Sequence, residues 1–300
     1  MANTFTEKQL RFTFTLATNA KFQGNNNTLQ ITGLRALADV NFPGPPSFPT
    51  ANVRIFGMKL SDMQALTGLT FQVLTYKRNS ILIEANDGSG WTTVFAGQIV
   101  TGVIDFASGA ESGEVAFVIT AQTLGYDLLN PATPSAFPAS ASVANVMRTI
   151  ALKMSQDFDD GGVTTVFPGA TYFAGTPADQ LRTAAKKANV IVYPDKPGVI
   201  EIGLPGAPRN VPKAVLSPNL KNLVGYPSLD SVNLIGVTAV YNPSLRFGAP
   251  LQIKDSLQLA ANGDWMIYDC THNLSSLMPG GPWFTRMTCQ PPAGFGITPP

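Results

Sequence analysis

Residues 263–290 read GDWMIYDCTHNLSSLMPGGPWFTRMTCQ. Two runs rich in aromatic, apolar and threonine residues, Trp265–Asn273 and Trp283–Gln290, flank the turn-forming Pro279-Gly280-Gly281. That is the pattern of a β-hairpin. Folded about Pro279–Gly280, it places Cys270 opposite Cys289 and Asn273 opposite Arg286. A disulfide fits that register, but nothing in the sequence suggests export, and cytosolic thiols stay reduced. Buried free thiols are therefore the preferred expectation. With one histidine, the two cysteines do not make a zinc site.

That single histidine, His272, restricts enzymatic readings. A Ser-His-Asp or Cys-His mechanism would have to use it, yet it sits on a strand pattern and not at a nucleophile elbow. A structural or interface histidine is the plainer reading, and a hydrolase using His272 with a distant Ser or Asp is the competing one. The sequence contains no G-x-S-x-G, phosphate-binding G-x-x-x-x-G-K-[ST], H-E-x-x-H or strand-linked G-x-G-x-x-G motif. Asp157, Asp159 and Asp160, followed by Gly161-Gly162, lack the closing glutamate of a calcium loop and read as a solvated turn. No cofactor or metal is expected.

Working outward, the flanking segment 206–290 is strand-rich: Ser231–Tyr241, Pro250–Ser256 and the hairpin alternate with turns. Residues 1–122 are strand-rich too. Phe12, Phe14 and Leu16 alternate with polar neighbours, and Leu29–Leu37, Val53–Leu60, Ser80–Ala85, Trp91–Ala96, Gln98–Phe106 and Glu114–Gln122 are further strands. Asp87-Gly88-Ser89-Gly90 is a hairpin turn. Ser61 caps a short helix through Leu66 that Gly68 ends. Asn41–Thr50, with four prolines, reads as an exposed loop or arm.

Between these segments, residues 123–205 change character. Ser142 caps a helix whose apolar face is Val143, Val146, Met147, Ile150, Ala151, Met154 and Phe158. Thr176-Pro177-Ala178-Asp179 opens a second helix with a cap, a proline at the first position and an acidic first turn. Its apolar face is Leu181, Ala184, Ala185 and Ala188, and a hairpin of Val190–Tyr193 and Val199–Leu204 follows. The fold class is mainly β with an α+β insertion. Residues 291–300 read as an extended Gly/Pro tail.

Charged residues are only 13% of the 300, about half the ~25% of typical domains, and 20 Lys+Arg against 19 Asp+Glu give a net charge of +1. Such a surface is poorly suited to a free monomer and suggests cover by other protein. The even balance argues against a dedicated nucleic-acid binder. The amino terminus has no signal-peptide pattern, and no uncharged stretch is apolar enough to span a membrane as a helix.

The carboxy-terminal motifs carry a family resemblance. Tyr241-Asn242-Pro243-Ser244-Leu245-Arg246-Phe247-Gly248 precedes Gly263-Asp264-Trp265, then His272-Asn273-Leu274 and Pro279-Gly280-Gly281-Pro282-Trp283. This order resembles the closing domain of baseplate hub proteins of long-tailed phages and related contractile injection systems. Phe95-Ala96-Gly97-Gln98-Ile99 and Gly125-Tyr126-Asp127-Leu128-Leu129 fit the same domain order. The resemblance implies two tail-tube-like β-barrel domains, 1–122 and 206–290, flanking a small α+β domain. It further implies a non-enzymatic homotrimer with pseudo-sixfold symmetry, joining a hexameric tail tube or distal ring to a trimeric spike among other baseplate proteins. Its place would be the virion tail, assembled in the host cytoplasm, with DNA passing the lumen without specific binding and no membrane partner. Gly248, Gly263, Trp265, His272, Pro279, Gly280, Gly281 and Trp283 are its candidate structural motif. A tube, adaptor or receptor-binding protein is the alternative within the same setting.

Overall fold

The computed structural model describes residues 6–17, 21–23, 25–67, 79–107, 113–231 and 233–292. The first segment supplies β1 (Gln9–Thr15), β2 (Thr28–Thr32), β3 (Ala36–Phe42), β4 (Thr50–Phe56), β5 (Ser80–Asn86), β6 (Trp91–Asp105) and β7 (Ala116–Gln122). A short helix, α1 (Leu60–Leu66), follows β4. Period-two alternation holds along β1, where Leu10, Phe12 and Phe14 are buried and their neighbours are not. The expected strand Leu29–Leu37 is instead two strands, because the chain turns at Gly33 with φ +71°. Trp91–Ala96 and Gln98–Phe106 merge into β6, whose first half pairs with β5 and second half with β7. Helix α1 begins two residues earlier than expected, with Lys59 and not Ser61 at its cap position; Gly68 lies outside the described residues.

The insertion holds α2 (Gly125–Leu129), β8 (Ser135–Phe137), β9 (Ala141–Ser142), α3 (Val143–Lys153), β10 (Asp157–Asp159), β11 (Val166–Phe167), β12 (Thr171–Phe173), α4 (Pro177–Ala188), β13 (Ile191–Lys196) and β14 (Val199–Gly203). Its helix starts follow the sequence closely. The Ser142 hydroxyl accepts from the Asn145 backbone N–H, and Thr176 and Asp179 form a reciprocal capping box behind Pro177. The buried faces of α3 and α4 meet in a separate core, with Val146, Met147 and Ile150 from one helix and Ala178, Leu181 and Ala184 from the other. Helix α3 stops at Lys153, short of Phe158. The backbone turns left-handed at Ser155 (φ +55°), and Phe158 becomes part of β10, paired in parallel with β14.

The last segment supplies β15 (Ala214–Leu216), β16 (Ser228–Ser231), β17 (Leu234–Val240), β18 (Pro250–Ile253), a single 3-10 turn (Leu259–Ala261), β19 (Gly263–Ser276) and β20 (Trp283–Gln290). Among the described residues the strands of the first and last segments form one 13-stranded sheet, running β16-β17-β20-β19-β3-β4-β7-β6-β5-β1-β2, with β18 attached to β19 and β15 to β18. The join is antiparallel pairing of β3 with β19, from Phe42 opposite Cys270 to Ala36 opposite Ser276. Its buried faces are in phase: Ala36, Ala38, Val40 and Phe42 lie opposite Ser276, Leu274, His272 and Cys270, all nearly inaccessible. A one-residue slip would turn every one of these side chains to the other face. The long strands β6 and β19 both carry register irregularities, in β6 opposite Ile83/Glu84 of β5 and at Ile99/Thr101, and in β19 at Ile267/Asp269.

Two sequence expectations need correction here. The carboxy-terminal hairpin exists, but Cys270 lies opposite Met287 and Cys289 opposite Ile267. The loop runs from Leu277 to Pro282, and an extra residue at Tyr268 shifts the register, so the cysteines do not face one another. Both are buried and free, and burial pushes both thiols well up. The Pro-rich segment is not an arm. Pro45, Pro46 and Ser47 are exposed, but Phe48 is 4% exposed and enters the core of the insertion, and a Cβ at Gly44 would lie 3.4 Å from the Phe247 ring. Tail residues 293–300 lie outside the described residues.

Candidate functional site at the joint between sheet and insertion

The motif residues fall into three places along the β19–β20 hairpin. His272 lies at its centre. It is fully buried, opposite Thr285 on β20 and Val40 on β3, and its Nδ1 is 2.9 Å from the Thr285 hydroxyl. Phe42 and Tyr241 meet its ring edge-on at centroid distances of 5.3 and 5.1 Å, and Trp283 packs on Tyr241 at 5.6 Å. Burial, helped by the positive Arg246 nearby, pushes His272 down to about 3. The imidazole is therefore neutral at ordinary pH. With no surface and a threonine as its hydrogen-bond partner, it has no route to a substrate, which removes the geometric basis for a hydrolase centred on His272.

Gly248 marks the second place, where the sheet meets the insertion. Its amide donates to the Ile267 carbonyl of β19 (2.8 Å), and its carbonyl accepts from the Arg209 amide (2.9 Å). Its φ is +78°, and a Cβ here would lie 2.6 Å from the Tyr193 ring of β13 and 3.1 Å from Arg209 Cδ, so only glycine fits without displacement. Beside it lies a charge cluster that the sequence did not reveal. Arg209 donates through Nε and Nη2 to Glu201 (3.2 and 2.7 Å) and through Nη1 to Asp195 (2.9 Å), and it stacks on Tyr193 at 4.4 Å. Lys196 adds a second cation to Glu201 at 2.7 Å.

Burial alone would lower Arg209, but its hydrogen bonds to Glu201 and the charge of Asp195 overcome it and hold it up. Burial raises Glu201, yet Arg209 and Lys196 together keep it below the usual carboxylate range. Tyr193 is pushed up to about 12, chiefly by burial. Arg246 extends the cluster across all three segments, donating to the Asp195 carbonyl (2.7 Å) and to the Thr93 carbonyl of β6 (2.8 Å) while lying over Phe42. In a chain this poor in charge, Arg246 beside Phe247-Gly248 was the available signal. Its partners are about 50 and 150 residues away, so spacing alone could not find them.

The third place is the two hairpin ends. Gly263 opens β19 opposite Ile253, and Trp265 donates its indole N–H to the Ala261 carbonyl (2.8 Å). At the other end Pro279, Gly280 and Gly281 form the turn, with Gly281 close against Ser275, whose hydroxyl donates to the Pro282 carbonyl (3.0 Å). The structure thus brings His272 and Trp283 together through Tyr241, sets Gly248 at the insertion, and leaves Gly263 and Trp265 apart from both. Among the described residues no group of three or more His, Cys, Asp or Glu is placed to hold a metal, and no helix is long and apolar enough to cross a membrane. Asp159 and Asp160 accept from the Gly161 and Gly162 amides as turn residues do.

No protein-family model matches the chain, and no curated protein sequence matches it. Solved structures do. The 43 kDa tail protein of prophage MuSo2 from Shewanella oneidensis is 9% identical with a TM-score of 0.62, covering 96% of this chain and 97% of that one. A tail protein from Neisseria meningitidis MC58 is 10% identical with a TM-score of 0.61, covering 93% and 96%. An Escherichia coli component of the type VI secretion system, described as similar to the T4 tail proteins gp27 and gp5, is 9% identical with a TM-score of 0.58, covering 89% and 77%. At these identities the likeness is one of fold: the chain shares the fold of phage tail proteins and of a type VI secretion-system component. That fold is mainly β and baseplate hub-like, with a large antiparallel sheet and an α+β insertion.

Proposed function

We propose that this protein is a structural, non-enzymatic hub of a phage-type tail baseplate. Three copies form a homotrimeric ring of pseudo-sixfold symmetry, which joins the hexameric tail tube or a distal ring protein to the trimeric central spike. Other baseplate proteins surround it, and DNA crosses its lumen without sequence-specific contact. Residues 1–122 and 206–290 act as the two tube-like units, 123–205 as the inserted domain and 291–300 as a terminal extension. The motif residues hold these parts together: Gly248 at the joint, His272 and Trp283 in the hairpin core, Gly263, Trp265 and Pro279-Gly280-Gly281 at its ends. The ring assembles in the host cytoplasm and resides in the virion tail.

The observation carrying this reading is that the likeness to a tail protein extends over nearly the whole of both chains, not over one shared domain. A fold alone does not set function, so the decisive experiment is imaging of the purified oligomer. Class averages with threefold symmetry and a central channel are expected. A strictly monomeric particle by light scattering at all accessible concentrations overturns the proposal. The likeness to a type VI secretion-system component supports a second setting for the same adapter. Nucleic acid in particles purified with this chain distinguishes the two.

A further inference from the structure

The chain contains one Asn-Gly pair, Asn262-Gly263, at the point where β19 begins. An asparagine side chain followed by glycine is open to attack by the next residue's backbone nitrogen, because glycine places no Cβ in the path. Both residues are exposed, and no neighbouring heavy atom lies within 4 Å of where a Cβ at Gly263 would stand. The φ of Gly263 is +143°, a conformation that L side chains rarely adopt, so the entry into β19 itself calls for glycine after Asn262.

Asn262 is also a clamp. Its Oδ1 accepts from the Ser256 amide (2.9 Å) and its Nδ2 donates to the Ser256 carbonyl (3.0 Å), closing the loop 256–262. Ser256 is only 2% exposed, and its hydroxyl accepts from the Gln258 amide (3.2 Å). Ala261 is buried beneath the loop, and its carbonyl accepts from the Trp265 indole (2.8 Å). Between these anchors the loop holds out Leu257 and Leu259, the most exposed large apolar side chains among the described residues. The clamp depends on an amide that both donates and accepts; a carboxylate only accepts.

We infer that Asn262-Gly263 is a deamidation site whose reaction unfastens this loop. The Gly263 nitrogen bonds to Asn262 Cγ, the Cγ–Nδ2 bond breaks, and Nδ2 leaves as ammonia with the proton that the Gly263 amide gives up. One water then opens the cyclic imide at either carbonyl, giving aspartate or isoaspartate at position 262. One water enters, one ammonia leaves, and nothing is oxidised or reduced. Neither product has a donor to replace Nδ2, so the buried Ser256 carbonyl loses that hydrogen bond. Isoaspartate also adds a main-chain carbon directly before Gly263, whose pairing opposite Ile253 starts β19. The change runs one way, so it marks the age of the molecule, and it holds whether or not the chain forms a hub.

The test ages the wild-type protein at mildly alkaline pH and follows its peptides by mass spectrometry. Conversion of amide to acid, with an isoaspartate fraction, is expected at Asn262 before any other asparagine. In parallel, Asn262→Asp is compared with fresh wild type by hydrogen exchange; the position is exposed, and circular dichroism verifies the fold. Exchange over residues 256–262 is expected to quicken about tenfold in the variant, with β3 unchanged. Aged wild-type protein shows the same quickening, which keeps the result independent of how well the variant folds. Earlier conversion at another asparagine, or none at Asn262, overturns the site. Conversion at Asn262 with loop exchange unchanged overturns the unfastening.

Discussion

His272 makes stability depend on pH from about 6.5 downward, beginning above the range in which ordinary carboxylates titrate. It is the one histidine in the chain. Unfolded, it protonates near 6.5; folded, burial holds it down to about 3. As pH falls below 6.5 the unfolded chain takes up a proton that the native state refuses, so stability drops by about 1.4 kcal/mol per pH unit until about pH 3. Between pH 7.5 and 5.0 the loss is about 2 kcal/mol. Urea unfolding at pH 7.5, 6.5, 5.5 and 5.0 measures it, with protein concentration held constant because assembly also shifts apparent stability. In His272→Gln this portion of the slope is expected to vanish, whatever the variant's absolute stability, since carboxylate contributions are common to both proteins. Equal losses in wild type and variant between pH 7.5 and 5.0 refute the reasoning. So does a native imidazole NMR resonance that titrates near 6.5.

Three further outcomes follow from the joint. Arg209→Met leaves Glu201 and Asp195 buried without their shared cation and is expected to cost about 3–5 kcal/mol in chemical denaturation. Simultaneous replacement of all three by apolar residues should recover much of it. Gly248→Ala forces a side chain into the Tyr193 ring at a left-handed backbone position, for an expected loss of about 1–3 kcal/mol; an unchanged unfolding midpoint contradicts the close fit. Phe48→Ala removes the contribution of the Pro-rich loop to the core of the insertion and should cost about 3 kcal/mol, with faster hydrogen exchange in α4 than in β3.

What could be read from the sequence divides along a physical line. The caps at Ser142 and Thr176, the alternation of Phe12 and Phe14 and the Asp87–Gly90 turn are local, and local chemistry determines them. The Cys270–Cys289 register failed because one bulged residue at Tyr268 carries no composition signal. Phe48 was assigned to an arm because prolines exclude a strand, and they say nothing about what the next side chain packs against. The Arg209–Glu201–Asp195 cluster and the β3–β19 pairing depend on partners distant in sequence, which periodicity does not encode. The ordered carboxy-terminal motifs pointed to the tail-protein fold before any of these contacts was visible.

The β3–β19 pairing also sets an order of events during synthesis. Residues 36–42 emerge from the ribosome more than two hundred positions before 270–276, the strand they must meet. Until then β3 has one partnered side and one open edge lined with Ala36, Ala38 and Val40. Contacts of such sequence separation form slowly, and open apolar edges recruit other chains. A nascent or truncated chain ending before β19 should therefore be the aggregation-prone species, and the last forty residues complete a sheet that the first forty began.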